Sequence, residues 1–254
     1  MAGHIIAFGG GGFSMEPDNL ALDRYVLSLW RRSDRESDFA SGESWHVTGS
    51  KATSDRPRVC FLPTATGDSV EYIGRFYSAF EKLACRPTHL ALTDSPTSDP
   101  AAAVLENDIF YVGGGNTRDM LSVWRGCGLD QALKEAWRAG KILSGISAGA
   151  ICWFEHAISD SVVEGELHPL KCLGFLSGTG CPHYDEPGRR ETFHRCLASG
   201  DVSAGYAIEN GAALHFEGLK LVNVVRSRPD AYAYHVALTN GQIVETVVRT
   251  GNKK

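Results

Sequence analysis

The chain of 254 residues lacks several features at once. No apolar run approaches the ~18 residues that a membrane span needs, so no membrane partner is expected. There is no surplus of basic charge. The 25 Lys and Arg against 30 Asp and Glu leave a formal net charge of −5, which argues against an electrostatic nucleic-acid surface. There is no C-x-x-C and no even set of cysteines. The seven present (Cys60, Cys85, Cys127, Cys152, Cys172, Cys181, Cys196) are scattered, which suits reduced thiols better than a disulfide framework. Met1 to Phe8 enters a strand-like run without the basic start or small-residue cleavage site of a signal peptide, so a cytoplasmic protein is expected. Internal repeats and low-complexity segments are lacking too. What remains, 43% hydrophobic and 22% charged residues, is an ordinary soluble composition, and one α/β domain over residues 1–254 is expected.

The most informative stretch runs from Lys141 to Phe154. Apolar residues lead into Gly145-Ile146-Ser147-Ala148-Gly149, and small and apolar residues lead away. A strand, a tight turn with one serine and a helix are written this way in a nucleophile elbow. Gly145 and Gly149 keep Cβ atoms out of a crowded turn, and Ala148 and Ala150 let the helix start close to the sheet. The serine hydroxyl then stands at the carboxyl edge of the sheet, and the Ala148 N–H points where an oxyanion would form.

The preceding residues alternate strand and helix. His4 to Phe8 is a buried strand ending in Gly9-Gly10-Gly11-Gly12-Phe13-Ser14. As a dinucleotide fingerprint this loop matches poorly: Ser14 stands at the last glycine position, and no second strand ends in an acid ~20 residues on. It is read instead as a loop passing close to a neighbouring backbone, and no cofactor is expected. Asp18 to Trp30 looks helical, and Arg31 to Arg56 looks like a polar, exposed and partly helical connection that suits an extra loop over a site. Arg58 to Leu62 is a second strand. Asp68 with Glu71 suggests a capping box for the helix behind it. His89 to Leu92 is a short third strand, Ala101 to Glu106 a short helix, and Asp108 to Val112 a fourth strand. That strand runs into Gly113-Gly114-Gly115-Asn116-Thr117, where Asn116 or Thr117 can cap a helix whose N–H groups favour negative charge. Leu129 to Ala139 is a further helix with Gly140 as its C′ residue.

Buried strands joined by helices imply a mostly parallel sheet flanked by helices, with ligands beyond the carboxyl ends of its strands. After the elbow, Leu219 to Val225, Ala231 to Leu238 and Gln242 to Val248 read as antiparallel strands added to that sheet or beside it. Asn240-Gly241 is a hairpin signal.

A serine nucleophile needs a base, and the base an orienting acid. Of nine histidines, His183 stands at a strand-to-loop edge in Gly180-Cys181-Pro182-His183-Tyr184-Asp185, and is preferred over His156. Three acids compete: Asp185, two residues from His183, Glu209 in a turn before the hairpins, and Asp160 beyond the elbow helix. A rival set, Cys181, His183, His194 and Cys196, has metal-competent types but not the spacing of a zinc finger or ribbon, and no metal is expected.

Taken together, Val112-Gly113-Gly114-Gly115-Asn116-Thr117, Gly145-Ile146-Ser147-Ala148-Gly149-Ala150, Pro182-His183-Tyr184 and Ile208-Glu209-Asn210-Gly211 resemble peptidase family S51, which includes dipeptidase E (aspartyl dipeptidase) and cyanophycinase. The motifs share the family's order and similar spacing across residues 58–215. The resemblance implies a fold like the class I glutamine amidotransferases (flavodoxin-like). It makes Ser147 the nucleophile, His183 the base, Glu209 the triad acid, and Gly115 and Ala148 the oxyanion donors. It also makes Arg190 the counterpart of an arginine that holds an acidic substrate side chain. Arg189 and Arg190 are the cations nearest the base in sequence, and Asn116 and Asp160 are further candidate substrate contacts. The Ser…His…Glu order differs from the Ser…acid…His order of α/β-hydrolases. The implied activity is hydrolysis of short peptides, with N-terminal Asp dipeptides as substrates. A homodimer is implied by resemblance alone. A cyanophycinase-like hydrolase of β-aspartyl-arginine is one alternative. A non-catalytic binding protein is another; its mark would be a lost nucleophile, base or oxyanion glycine, and none is lost.

Overall fold

The computed structural model describes residues 2–39, 56–93, 99–163 and 165–249, with the side chains of 31–39 left aside. In chain order the elements open with β1 (His4–Phe8), a one-turn α1 (Gly12–Met15) and α2 (Ala21–Phe39). Helix α2 thus runs on into the segment expected to be a polar connection; residues 40–55 of that segment lie outside the described residues. Strand β2 (Arg58–Leu62) and α3 (Val70–Phe80) follow. The capping box expected from Asp68 and Glu71 is not formed. Ser69 caps α3 by accepting from the Tyr72 N–H, and Asp68 instead accepts from the Leu92 and Thr93 N–H groups at 2.6 Å each.

Strand β3 (Arg86–His89) lies three residues earlier than expected. It carries Pro87, which the ladder tolerates because β3 is the edge of its sheet. Then come α4 (Pro100–Glu106), β4 (Ile109–Val112), α5 (Thr117–Cys127), α6 (Leu129–Arg138), β5 (Ile142–Ile146) and α7 (Ala148–Ile151). Asn116 caps α5 through the Asp119 N–H, and Gly140 follows α6 at φ 97°. The remainder is β6 (Phe154–Val163), β7 (Glu166–Lys171), β8 (Leu176–Cys181), α8 (Arg189–Ser199), β9 (Gly205–Ile208), β10 (Ala212–Glu217), β11 (Lys220–Arg226), β12 (Ala233–Thr239) and β13 (Gln242–Val247).

Two sheets result. The first has the order β11-β10-β1-β5-β4-β2-β3, parallel from β1 to β3 with β10 and β11 antiparallel at one edge. The second has the order β13-β12-β9-β8-β6-β7, with β6, β8 and β9 parallel. The C-terminal antiparallel strands are therefore shared: β10 and β11 extend the first sheet, β12 and β13 the second. The β12–β13 turn is Asn240-Gly241, with both residues at positive φ as a type I′ hairpin requires. The second sheet's parallel portion went unforeseen, because β6 and β8 are broken by Ser, Gly and Thr and lack a clean apolar period.

One apolar cluster joins both sheets. It includes Val112, Leu143, Trp153, Phe154, Leu176, Ile208 and Phe216, all at most 3% exposed. A second, aromatic-rich cluster (Phe13, Phe61, Tyr72, Phe76, Phe80, Tyr111) fills the other face of the first sheet. Among the described residues no helix is long and apolar enough to cross a membrane. The carboxyl ends of β1, β4, β5, β8 and β9 face one region, and a parallel bridge between Gly10 and Asn210 ties the two sheets together there.

Candidate active site

Ser147 sits between β5 and α7 with φ 54° and ψ −113°, a conformation a non-glycine residue adopts only under strain. The surroundings over-determine it. Its N–H donates to the Phe8 carbonyl at 3.1 Å, and its carbonyl accepts from Ala150 and Ile151. The turn packs so closely that a Cβ on Gly149 would lie 2.3 Å from the Val112 carbonyl oxygen. The sequence reading of a crowded elbow holds.

His183, just past β8, is also at positive φ (52°), and its N–H donates to the Gly9 carbonyl at 3.2 Å. Its Nε2 lies 2.9 Å from Ser147 Oγ. His156, the other candidate, is on β6 with its Nδ1 buried and unpartnered.

The acid expected to orient the base is elsewhere. Glu209 turns away from His183: its carboxylate accepts from the Tyr232 N–H at 2.8 Å and the Tyr234 hydroxyl at 3.1 Å. The next residue, Asn210, takes the place, with Oδ1 2.6 Å from His183 Nδ1. Successive residues leaving β9 point to opposite sides, so a one-residue difference decides which side chain meets the imidazole. Asp185 and Asp160 are not on the imidazole either. Asp185 accepts from the Asn210 N–H at 2.8 Å, and Asp160 faces Arg189.

Asn210 is held at every polar atom. Beyond the bonds to His183 and Asp185, its carbonyl accepts from Arg228 at 2.8 Å and its Nδ2 donates to Glu186 Oε1 at 3.0 Å. Glu186 Oε1 is itself 3.5 Å from His183 Nδ1. The first glycine run makes room for this. A Cβ on Gly10 would lie 1.8 Å from Asn210 Oδ1. That loop is a packing device against the 208–211 turn, as its poor match to a nucleotide fingerprint suggested.

The loop after β4 forms the wall of the cleft beside Ser147. Gly114 N–H donates to the Tyr72 hydroxyl at 3.2 Å and Asn116 N–H to the Ala65 carbonyl at 2.7 Å, leaving the Gly115 N–H between them on the cleft wall. Gly115 has φ 134°, and a Cβ there would lie 2.2 Å from the Ala65 carbonyl. Ala148 opens α7, where the N–H has no intrahelical partner.

These groups border an open cleft of about 430 Å³ lined by Gly115, Asn116, Ser147, Asp160, Ser161, His183, Glu186 and Arg189. Asn116 and Asp160 line it. Arg190 does not. Its guanidinium pairs with Glu245 and lies over the rings of Tyr184 and Tyr234, 4.6 and 5.4 Å from their centroids. The lining cation is Arg189, whose mostly buried side chain approaches Asp160 Oδ2 at 3.3 Å. Burial, then the bond to Glu245 and that carboxylate's charge, pushes the Tyr184 hydroxyl up, so it acts as a donor. His194 Nε2 completes this cluster 2.7 Å from Glu245.

The metal-competent set does not converge: His183 and His194 face different partners, and burial pushes the Cys181 thiol up to about 12. Among the described residues no three His, Cys, Asp or Glu side chains form a metal-binding group.

The family model for Peptidase family S51 matches residues 46–224. The chain is 49% identical over 242 residues to the uncharacterized peptidase YgaJ of Bacillus subtilis, covering 95% of each. It is 28% identical over 177 residues to the Peptidase E of Streptomyces coelicolor, covering 65% of this chain and 70% of that one. Its fold matches the crystal structure of a peptidase from an acI-B1 Actinobacterium with a TM-score of 0.69 at 19% identity, covering 99% of this chain and 96% of that one.

Proposed function

We propose that this chain, which belongs to peptidase family S51, hydrolyses short peptides with Ser147 as nucleophile, His183 as general base and Asn210 as the residue that orients the base. The observation that carries the proposal is the Ser147 Oγ to His183 Nε2 contact of 2.9 Å, made by two side chains on strained backbone, with Asn210 Oδ1 on the far ring nitrogen. The arrangement resembles the Cys-His-Asn set of other acyl-transfer enzymes, where an amide oxygen instead of a carboxylate accepts the hydrogen bond from Nδ1–H.

In this mechanism His183 Nε2 takes the Ser147 hydroxyl proton as Oγ attacks the scissile carbonyl. The Gly115 and Ala148 N–H groups hold the oxyanion, each worth roughly 3 kcal/mol in such sites. The imidazolium gives its proton to the leaving amine, the C–N bond breaks, and an acyl-enzyme remains. Water, deprotonated by the same nitrogen, releases the acyl group and restores Ser147.

The cleft suits a small, charged substrate. Arg189 is the cation a substrate carboxylate would meet, and Asp160 and Glu186 are the anions a free α-ammonium would meet. An N-terminal Asp dipeptide carries both groups. The same two carboxylates also favour a second reading, in which they receive the guanidinium of a β-aspartyl-arginine.

The test is hydrolysis of Asp-Xaa, neutral Xaa-Xaa and β-Asp-Arg dipeptides by wild type, Ser147→Ala and Arg189→Ala. The proposal expects turnover that vanishes in Ser147→Ala, and an Asp-Xaa preference that Arg189→Ala removes. Turnover undiminished in Ser147→Ala would overturn the mechanism. β-Asp-Arg as the preferred substrate would replace the first reading with the second.

A further inference from the structure

An asparagine beside a catalytic histidine poses a problem that an aspartate does not. A carboxylate accepts a proton whichever way it turns, but an amide offers an oxygen on one side and an NH2 on the other. Turned one way, Asn210 accepts from Nδ1–H, and Nε2 is left with the lone pair that Ser147 needs. Turned the other way, it donates to Nδ1, the proton moves to Nε2, and the base is lost.

Glu186 removes this ambiguity. Its Oε1 lies 3.0 Å from Asn210 Nδ2 and 3.5 Å from His183 Nδ1. An ionised carboxylate only accepts, so the amide must present its NH2 to Glu186 and its oxygen to His183. The Glu186 N–H donates to the His183 carbonyl at 2.8 Å, which ties the acid to the base through one turn of backbone. The main chain of Asn210 is fixed independently by Asp185 and Arg228, so the side-chain torsion is the freedom left for Glu186 to govern.

We propose that Glu186 is a positioning residue that sets the orientation of the Asn210 amide, thereby selects the His183 tautomer, and supplies through that amide the negative charge that a triad acid would place on Nδ1. This inference rests on the peptidase reading above. It assigns the charge of the site to a residue three positions after the base, not to the turn beyond β9.

The experiment moves the carboxylate. Wild type, Ser147→Ala, Glu186→Gln and the double variant Glu186→Gln/Asn210→Asp are compared by their rate of labelling with a fluorophosphonate probe across pH. In the double variant the hydrogen bond between positions 186 and 210 persists with donor and acceptor exchanged, and Asp at 210 accepts from Nδ1–H in either orientation. Glu186→Gln is expected to label at least ~10-fold more slowly than wild type, and the double variant to return to within about 3-fold of it. Nitrogen chemical shifts of the His183 ring, read by NMR, provide a second measurement independent of turnover. Wild type and the double variant should carry the proton on Nδ1, and Glu186→Gln should show a mixture. A Glu186→Gln protein that labels like wild type overturns the proposal. So does one that stays slow after Asn210→Asp, because a structural or substrate-contact role is not rescued by moving the charge. If wild type is not labelled at Ser147 at all, the peptidase mechanism fails first, and the ring tautomers alone decide the positioning role.

Discussion

Asp23 offers a quantitative test of how the loop under the site is built. It lies on α2, is fully buried, and neither carboxylate oxygen has a well-formed hydrogen bond. A Cβ on Gly12 would lie 3.0 Å from its Oδ1 and 2.9 Å from the Tyr111 hydroxyl, so the acid sits directly beneath the glycine loop that meets His183 and Asn210. Burial pushes its pKa up to about 6 from 3.8. Tyr111 and Phe13 temper the rise and the charge of Glu16 adds to it. The sign follows from linkage. Between the unfolded and folded values the native state holds a proton the unfolded chain has lost, so stability falls by about 1.4 kcal/mol per pH unit across that window and levels off above it. Over roughly 2.2 units the total is about 3 kcal/mol, present below pH ~4 and lost by pH ~6.5.

Asp23→Asn keeps the shape and removes the ionisation. Urea unfolding followed by tryptophan fluorescence at pH 4.5 and 7.5 measures the difference. About 2 of the 3 kcal/mol lies between those two conditions. The variant should therefore gain about 2 kcal/mol on wild type between pH 4.5 and 7.5, whatever constant offset the new amide brings. With a slope of about 3 kcal/mol/M this is a shift near 0.7 M in midpoint. A difference between the two proteins that does not change with pH, or that shrinks as pH rises, refutes the reasoning.

Three further outcomes follow from close approaches and misplaced charges. Gly10→Ala drives a Cβ into Asn210 Oδ1 and should slow Ser147 labelling by ~10²-fold or more, with a much smaller change in unfolding midpoint. Gly149→Ala, whose Cβ would strike the Val112 carbonyl, should instead reduce the yield of folded protein, read by circular dichroism and melting. Arg190→Ala should cost about 1–2 kcal/mol of stability by leaving Glu245 short of a partner, and leave the Asp-Xaa preference intact, in contrast to Arg189→Ala.

The alternation of β1 to β5 with helices was legible because buried parallel strands are written as continuous apolar runs, such as Ile109 to Val112. The elbow was legible for a different reason: its turn tolerates only small neighbours, and small residues are visible in a sequence. What escaped was decided by the direction of single side chains. Glu209 and Asn210 are adjacent, and the member expected at the site faces another cluster; of Arg189 and Arg190, both open as the substrate cation, it is Arg190 that faces away. The family resemblance favoured Glu209, but the paired glycines Gly9 and Gly10 were the signal that something short had to enter opposite them. Glu186 was hidden because a turn glutamate followed by Pro187 and Gly188 looks like any solvated loop. The stretch of α2 beyond Trp30 was legible only as a partly helical connection, because its polar composition carries no apolar stripe to mark where the helix runs.

The central claim, that Ser147 is an activated nucleophile, is tested most directly by mass spectrometry of the protein after reaction with a fluorophosphonate. The account predicts a single covalent adduct, mapped to Ser147 and absent in Ser147→Ala. A folded wild-type protein that acquires no adduct, or one whose adduct persists in Ser147→Ala, would contradict it.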